Sequence, residues 1–429
     1  MFNSLKSGLL AFVVLLTIVS ILAPVSVQAE RIREVTTRVE DGFLVFESDD
    51  GAFKWWWDAR IYLDVAGYME DEDHPDTKLS NGFMVRRARW AMKTMIREHW
   101  YAEVDFDFAE EATELKDAYI SYRGLFGGTG HLRVGNFRQP FGLEENITSR
   151  NLMFLERSQG TDAFAVGRRM GLEFAKWSHN YRVAASVFGA DVEDFDKPDD
   201  ETFSVAARLN FTPIHKDKHI LLLGASGTMR QTDFNTHKVR FKTKPETNVA
   251  DVKFVDTGNI GNVDYYSLFA GEIAYVNHRF LAMSEYMGTT VTRKDFLNDL
   301  DPMDLGDLSF GGGYVYAAFF LTDDTHPFDF YAMEPGRVDP SSENGAWELM
   351  ARYSTVDMDD DTVDEDLTEH LYGASTSLTF GVKYYANSNI NIYLNYGMVD
   401  NNENATAKDG SLDGDYDFQY VQMRFLAYF

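Results

Sequence analysis

RQPFGLEENITSRNLMFLERSQGTDAFAVGRR, residues 138–169, separates two alternating segments and keeps no two-residue period of its own. Hairpin connections take roughly two to five residues, so a run this long and this mixed is a loop that needs packing partners. The segments on either side decide where those partners lie. Outward from it in both directions, the chain reads as strand after strand.

About sixteen alternating runs, each seven to fifteen residues long, fall near 56–68, 83–97, 100–109, 114–123, 131–138, 170–177, 181–189, 202–211, 219–229, 265–276, 280–288, 310–321, 346–354, 371–385, 389–398 and 418–429. In the fifteenth, Ile390, Ile392, Leu394, Tyr396 and Met398 alternate with Asn391, Tyr393, Asn395 and Gly397. One such strand suits a soluble sandwich and a lipid-facing barrel equally. The connections separate the two. Those at 98–99, 125–130, 178–180, 277–279 and 386–388 are short, whereas 139–169, 190–201, 230–264, 289–309, 355–370 and 399–417 are long. Short turns alternating with long loops mark an outer-membrane barrel with both termini on the periplasmic side. Two connections depart from this: 110–113 is short where a long loop is due, and 322–345 is long where a turn is due. Trp55-Trp56-Trp57, Trp100 and Tyr428-Phe429 sit at the ends of runs, where a membrane interface suits their rings. The expected fold is all-β: a transmembrane antiparallel β-barrel of about sixteen strands, with 139–169 folded into its lumen as the third extracellular loop.

Residues 1–29 have Lys6, an apolar stretch from Gly8 to Ala23 and Val27-Gln28-Ala29. That is the layout of a secretory signal peptide cleaved after Ala29, leaving 30–429 as a single barrel domain. No later segment approaches the roughly 18 unbroken apolar residues of a membrane helix, and no Pro-, Gly- or Ser-rich linker divides the chain. Cysteine is absent. The net charge is −28, or −29 once Lys6 is removed, which argues against nucleic acid as a partner.

The runs FMVRRARWAMK from Phe83, LKDAYISYRGL from Leu115 and RVGNFRQPFGLEENITSRNLMFLERS from Arg133 resemble the phosphate-selective porin O and P family, most densely over residues 83–190. The resemblance implies a sixteen-stranded barrel, assembled as a homotrimer, whose third loop narrows the pore. It also implies an anion site of basic residues with an aspartate. Carried over, that site is Arg86, Arg87 and Asp117 on the wall and Arg150 on the loop, with Ser149 beside it. Arg150 stands where the family often has lysine.

With the apolar face of each strand outward, Arg60, Arg87, Arg89, Lys93, Arg133, Arg182, Arg208, Arg352, Lys383 and Arg424 line the pore. Arginine suits phosphate because its planar fork donates two parallel hydrogen bonds. Glu103, Asp105 and Asp107 form an acidic ladder one strand from Arg87, Arg89 and Lys93. It either pairs with those bases across the strands or weakens the selectivity of that side. Arg168-Arg169 read as an anchor for the end of the loop. Other acids gather in the outer loops Asp191–Glu201, Asp357–Glu369 and Asp400–Asp417, where divalent ions would bridge them to lipopolysaccharide. DMDDDTVDEDLTE from Asp357 fails as a calcium loop, since Thr362 replaces the needed glycine and Thr368 the bidentate glutamate. The ten histidines show no metal spacing, and no nucleophile-elbow or phosphate-loop motif occurs, so neither a cofactor nor catalysis is expected. The expected function is passive diffusion of small inorganic anions, such as phosphate or polyphosphate, across the outer membrane. A general or cation-preferring porin and a secreted carbohydrate-binding β-sandwich are the alternatives.

Overall fold

A strand that is apolar on one face and polar on the other needs lipid or a core for the first and water for the second. In lipid it must also leave no backbone edge unpaired, which only a closed sheet achieves. The computed structural model describes residues 34–40, 42–70, 79–109, 112–189, 202–232, 236–295, 303–360, 371–407 and 410–429. The signal-peptide segment, the Asp191–Glu201 acids and most of Asp357–Glu369 lie outside these residues.

Sixteen antiparallel strands close into a barrel. They are Phe53–Glu70, Gly82–Ile96, Trp100–Asp107, Glu114–Leu125, Gly130–Arg138, Arg168–Trp177, Tyr181–Phe188, Ser204–Lys216, His219–Gln231, Val263–Asn277, Phe280–Asp295, Leu308–Phe320, Ala346–Asp357, Ala374–Tyr385, Ile390–Asn401 and Phe418–Tyr428. The last pairs with the first, Tyr420 opposite Tyr68 and Tyr428 opposite Arg60. Outward positions are exposed apolar side chains, among them Ile120, Val134, Tyr286 and Val315. Two packed sheets are absent among the described residues, which removes the sandwich alternative.

Four features go beyond the sequence reading. A hairpin, Val35–Glu40 with Phe43–Ser48, precedes the barrel and adds to the first strand, Val45 facing Trp56. The connection between Phe320 and Ala346 is an insertion at the end of the barrel that carries the short turns, and that between Asp107 and Glu114 is short at the other end. In the insertion the Phe330 ring stacks on His215 and His215 on His179, each at 3.8 Å. Residues 236–262, expected as an outer loop, fold back into the mouth, where Phe241, Phe254 and Ile260 pack with Phe141 and Phe164.

The fourth feature corrects the rule that inward means polar. Ile220, Leu222, Ala274, Val276, Leu281, Met283 and Tyr316 point inward and are buried against Leu143, Ile147, Leu152, Met153 and Phe154 of the 139–167 connection. Over these residues the strands His219–Gln231 through Leu308–Phe320 are therefore apolar on both faces, one toward lipid and one toward the loop. The charged interior is confined mainly to the other side of the barrel.

Candidate functional site

On a strand, alternate residues share a face. The first barrel strand thus sends Asp58, Arg60, Tyr62 and Asp64 inward, and the third sends Glu103, Asp105 and Asp107. On the second strand the same parity would put Arg87, Arg89 and Lys93 inside and Arg86 in lipid. A β-bulge prevents this: Tyr62 faces Arg87 and Leu63 faces Val85, so Arg86 is the extra residue. Both Arg86 and Arg87 then reach the lumen.

Most of these cations are held by carboxylates. Asp58 accepts from Lys93 at 2.6 Å and Arg150 at 2.7 Å, with Arg60 at 3.3 Å. Arg89 bonds Asp107 at 2.7 Å, and Lys93 lies 3.5 Å from Glu103, so the acidic ladder does pair across the strands. Arg168 bonds Asp117 at 2.6 Å. Arg133 bonds Glu173 at 2.9 Å, with Arg182 3.8 Å from the same oxygen. Arg208 grips Glu272, and Arg424 grips Asp64 through two nitrogens at 2.7 Å. Arg352 reaches Glu246 at 2.6 Å, and Lys383 donates to the Leu152 carbonyl at 3.1 Å. Ser149 is buried and accepts from Arg60 at 3.3 Å, with the Tyr62 hydroxyl 3.1 Å away.

Loop residues complete the set. Arg86 clasps Glu156 with Nε and Nη2 at 2.9 and 3.0 Å. Burial pushes the Glu156 carboxyl up, but the guanidiniums of Arg86, Arg424 and Arg87 outweigh it and hold the carboxyl well below its ordinary value. The loop is fixed to the far wall, where Glu285 accepts from the Leu143 and Glu144 amides at 2.7 and 3.1 Å. Its helix Gln159–Phe164 is capped by Ser158 and set on the wall by Gln159, whose amide donates to Ser354 and side chain to Ser377.

Arg87 differs from the rest. It is 5% exposed, its Nε and Nη1 are buried without a hydrogen-bonding partner, and no carboxylate among the described residues lies within ion-pair reach. Its guanidinium stands 5.3 Å from the Tyr62 ring centre. Two voids lie among these side chains. An outer one of about 310 Å³ is lined by Arg86, Arg87, Arg157 and Lys244 with Glu145, Glu156, Asp162 and Glu246. A deeper throat of about 300 Å³ is lined by Arg60, Arg89, Lys93, Arg133, Arg138, Arg150, Arg168, Arg182 and Arg208. Glu103, Asp105, Asp117, Asp329 and Glu334 line it too.

The sequence pattern of the family described as phosphate-selective porin O and P matches residues 57–429. The chain belongs to the phosphate-selective porin O and P family. It is 22% identical over 361 residues to Porin O of Pseudomonas aeruginosa, covering 77% of this chain and 79% of that protein. It is 24% identical over 389 residues to an uncharacterised protein of Caulobacter vibrioides, covering 86% and 72%. The anion-selective porin from Comamonas acidovorans has the same fold, at a TM-score of 0.53 and 11% identity, covering 88% of this chain and 100% of that one. The protein is thus an outer-membrane porin, a channel former by family.

In this porin the sequence-selected residues point inward, but not at one point, and Arg352, Lys383 and Arg424 are buried beneath the loop, bonded to its carbonyls, and line neither void. Arg86 and Arg87 stand at the outer void, whereas Arg150, Arg60 and Asp117 stand at the throat. The sequence reading passed over Asp58, although it shares the parity of Arg60. It also passed over Arg138, the last residue of the fifth strand, and over Arg157, Glu156 and Glu246, whose loops have no period to give their direction away. Arg168, read only as an anchor, bonds Asp117 and lines the throat.

Proposed function

We propose that the pore passes small inorganic anions, phosphate and polyphosphate among them, and that 139–167 is its constriction. The observation that carries this is Arg87, a buried guanidinium with unpartnered nitrogens beside the outer void. A partly dehydrated anion supplies the missing acceptor there, and the paired bases below provide a positive but mobile-anion-permitting throat. The exported chain is read as cleaved after Ala29, assembled as a homotrimer and surrounded by lipid and lipopolysaccharide.

A second reading has one observation in its favour. Carboxylate oxygens of Glu103, Asp105 and Asp117 lie within 4.8 Å of one another, and Asp105 Oδ1 has no partner, which suits a general or cation-preferring pore. The zero-current potential of the purified protein in a planar bilayer under a potassium chloride gradient decides between them. An anion-selective sign is expected, shifting toward zero in Arg87→Ala with Arg150→Ala. A cation-selective sign, or an unchanged potential in that variant, rejects the assignment.

A further inference from the structure

Below the throat the lumen widens into a periplasmic vestibule of about 810 Å³. Three parts of the chain that are remote in sequence enclose it: the amino-terminal hairpin, the 139–167 loop and the insertion 321–345. Phe43, Phe328 and Phe330 turn half-buried rings toward it. A small hydrated anion gains nothing from those rings, because apolar surface offers it no donor.

The bases in the vestibule are placed with respect to those rings. Phe43 and Tyr428 stack with centroids 6.4 Å apart. Arg150 lies 5.4 and 5.6 Å from the two ring centres, and Arg337 lies 5.6 and 5.1 Å from the same two. Arg150 gives Nη2 to Asp58, and Arg337 gives Nε to the Ser388 carbonyl at 3.0 Å. The wall is mostly polar, and the three phenylalanine rings set among its charged and hydroxyl groups give a flat organic body a place to lie while its charged head meets a guanidinium. The Asp329 carboxylate is turned to the Tyr331 and Ala332 amides, and Glu334 and Asp339 also line the space. Those acids let a ligand with one anionic head dwell longer than a polyanion, which passes through without being held.

We propose that this vestibule binds organic anions with a flat apolar body, aryl phosphates or aryl carboxylates, as they leave the throat. The guanidiniums of Arg150 and Arg337 take the head and the phenylalanine rings take the body. The proposal rests on the anion-porin reading and adds the class of solute that dwells longest.

The test compares phenyl phosphate with inorganic phosphate as blockers of chloride current through the full chain in planar bilayers. Phenyl phosphate is expected to halve the current at a concentration at least about tenfold lower, a difference of about 1.4 kcal/mol. In Phe43→Leu with Phe328→Leu, which keeps bulk but removes the rings, the ratio of the two blocking concentrations falls toward one. Phe328→Leu alone, on the insertion and not on the wall, gives a smaller change in the same direction if the double variant fails to insert. Equal blocking by the two compounds in the unaltered protein overturns the proposal, as does an unchanged ratio in the variants. The zero-current potential of the same bilayers reports anion preference separately, so a failed site and a failed porin reading are told apart.

Discussion

Arg86 and Arg87 are neighbours in sequence and yet both reach water, because the bulge opposite Tyr62 and Leu63 inserts one residue without turning the rest of the strand. A regular strand would leave one guanidinium in lipid, at about 2–4 kcal/mol near the midplane. The structure uses one of the pair to hold Glu156 and leaves the other unmatched. Arg87→Gln is therefore expected to lower the anion-to-cation permeability ratio more than Arg138→Gln, whose charge already faces Glu145 at 3.3 Å; equal losses would deny Arg87 a special role. Glu334 is a throat carboxyl whose titration is expected to make the pore sensitive to pH. Burial, with Asp329 adding to it, pushes its carboxyl up to about 7 against the opposing charges of Arg208 and Arg138, while the Thr148 amide bonds it from the loop. Its folded value lies above its unfolded one, so the stability it contributes is complete at low pH and is lost as pH rises through about 7. Protonation also removes a negative charge from the throat. Anion preference should rise as pH falls from about 8 to about 6, and Glu334→Gln should flatten that dependence while keeping the low-pH value. A pH slope that survives the substitution would place the titrating group elsewhere.

The 139–167 connection shows how an irregular element is held in one place. Its helix lies so close to the wall that a Cβ on Gly160 would come within 2.7 Å of the Gly313 amide nitrogen and 2.8 Å of the Gly312 carbonyl carbon. Glycines on both partners permit that approach. Gly160→Val should displace the helix from its seat, costing about 1–3 kcal/mol by overpacking, and single-channel conductance should rise as the loop moves out. Conductance and noise identical to the parent would show that the loop is held without that contact. The sequence located this element because it breaks a two-residue period between two strands that keep it. It hid the loop's floor, because HILLLGAS and FLAMS, apolar at both parities, look like weak alternation when they are in fact wall with lipid on one side and loop on the other. The amino-terminal hairpin was legible in principle, since Asp41-Gly42 sits between VTTRVE and FLVFES. The insertion 321–345 announced itself by length alone; nothing local in it says that Tyr331 will meet His131 at 3.0 Å. The candidate site was legible wherever it lay on strands and illegible where carboxylates from loops return to meet the wall.

At the scale of the whole molecule, closure of the barrel and placement of the loop are one problem. Arg424 on the last strand is fully buried and bonds Asp64 on the first, so the seam between chain beginning and chain end is bridged by side chains as well as by the backbone ladder. The same guanidinium reaches Glu156 at 2.5 Å and also donates to the Leu155 carbonyl, which ties the 139–167 loop to that seam. Removing it leaves Asp64 and Glu156 short of a cation in a water-poor site, and breaking a buried pair in this way costs about 3–5 kcal/mol. Arg424→Met should accordingly lower the urea midpoint of the vesicle-inserted protein, followed by tryptophan fluorescence, and should raise conductance noise because the loop loses its tie. Replacing both seam partners, Arg424→Met with Asp64→Leu, should recover much of the midpoint, since the orphaned carboxylate goes with the cation, but not the quiet conductance, since the Leu155 carbonyl loses its tie and Glu156 is left with Arg86 alone. A double variant no more stable than the single one would mean that the seam depends on the arginine itself and not on the balance of charge, and quiet conductance in both would separate the loop from the seam.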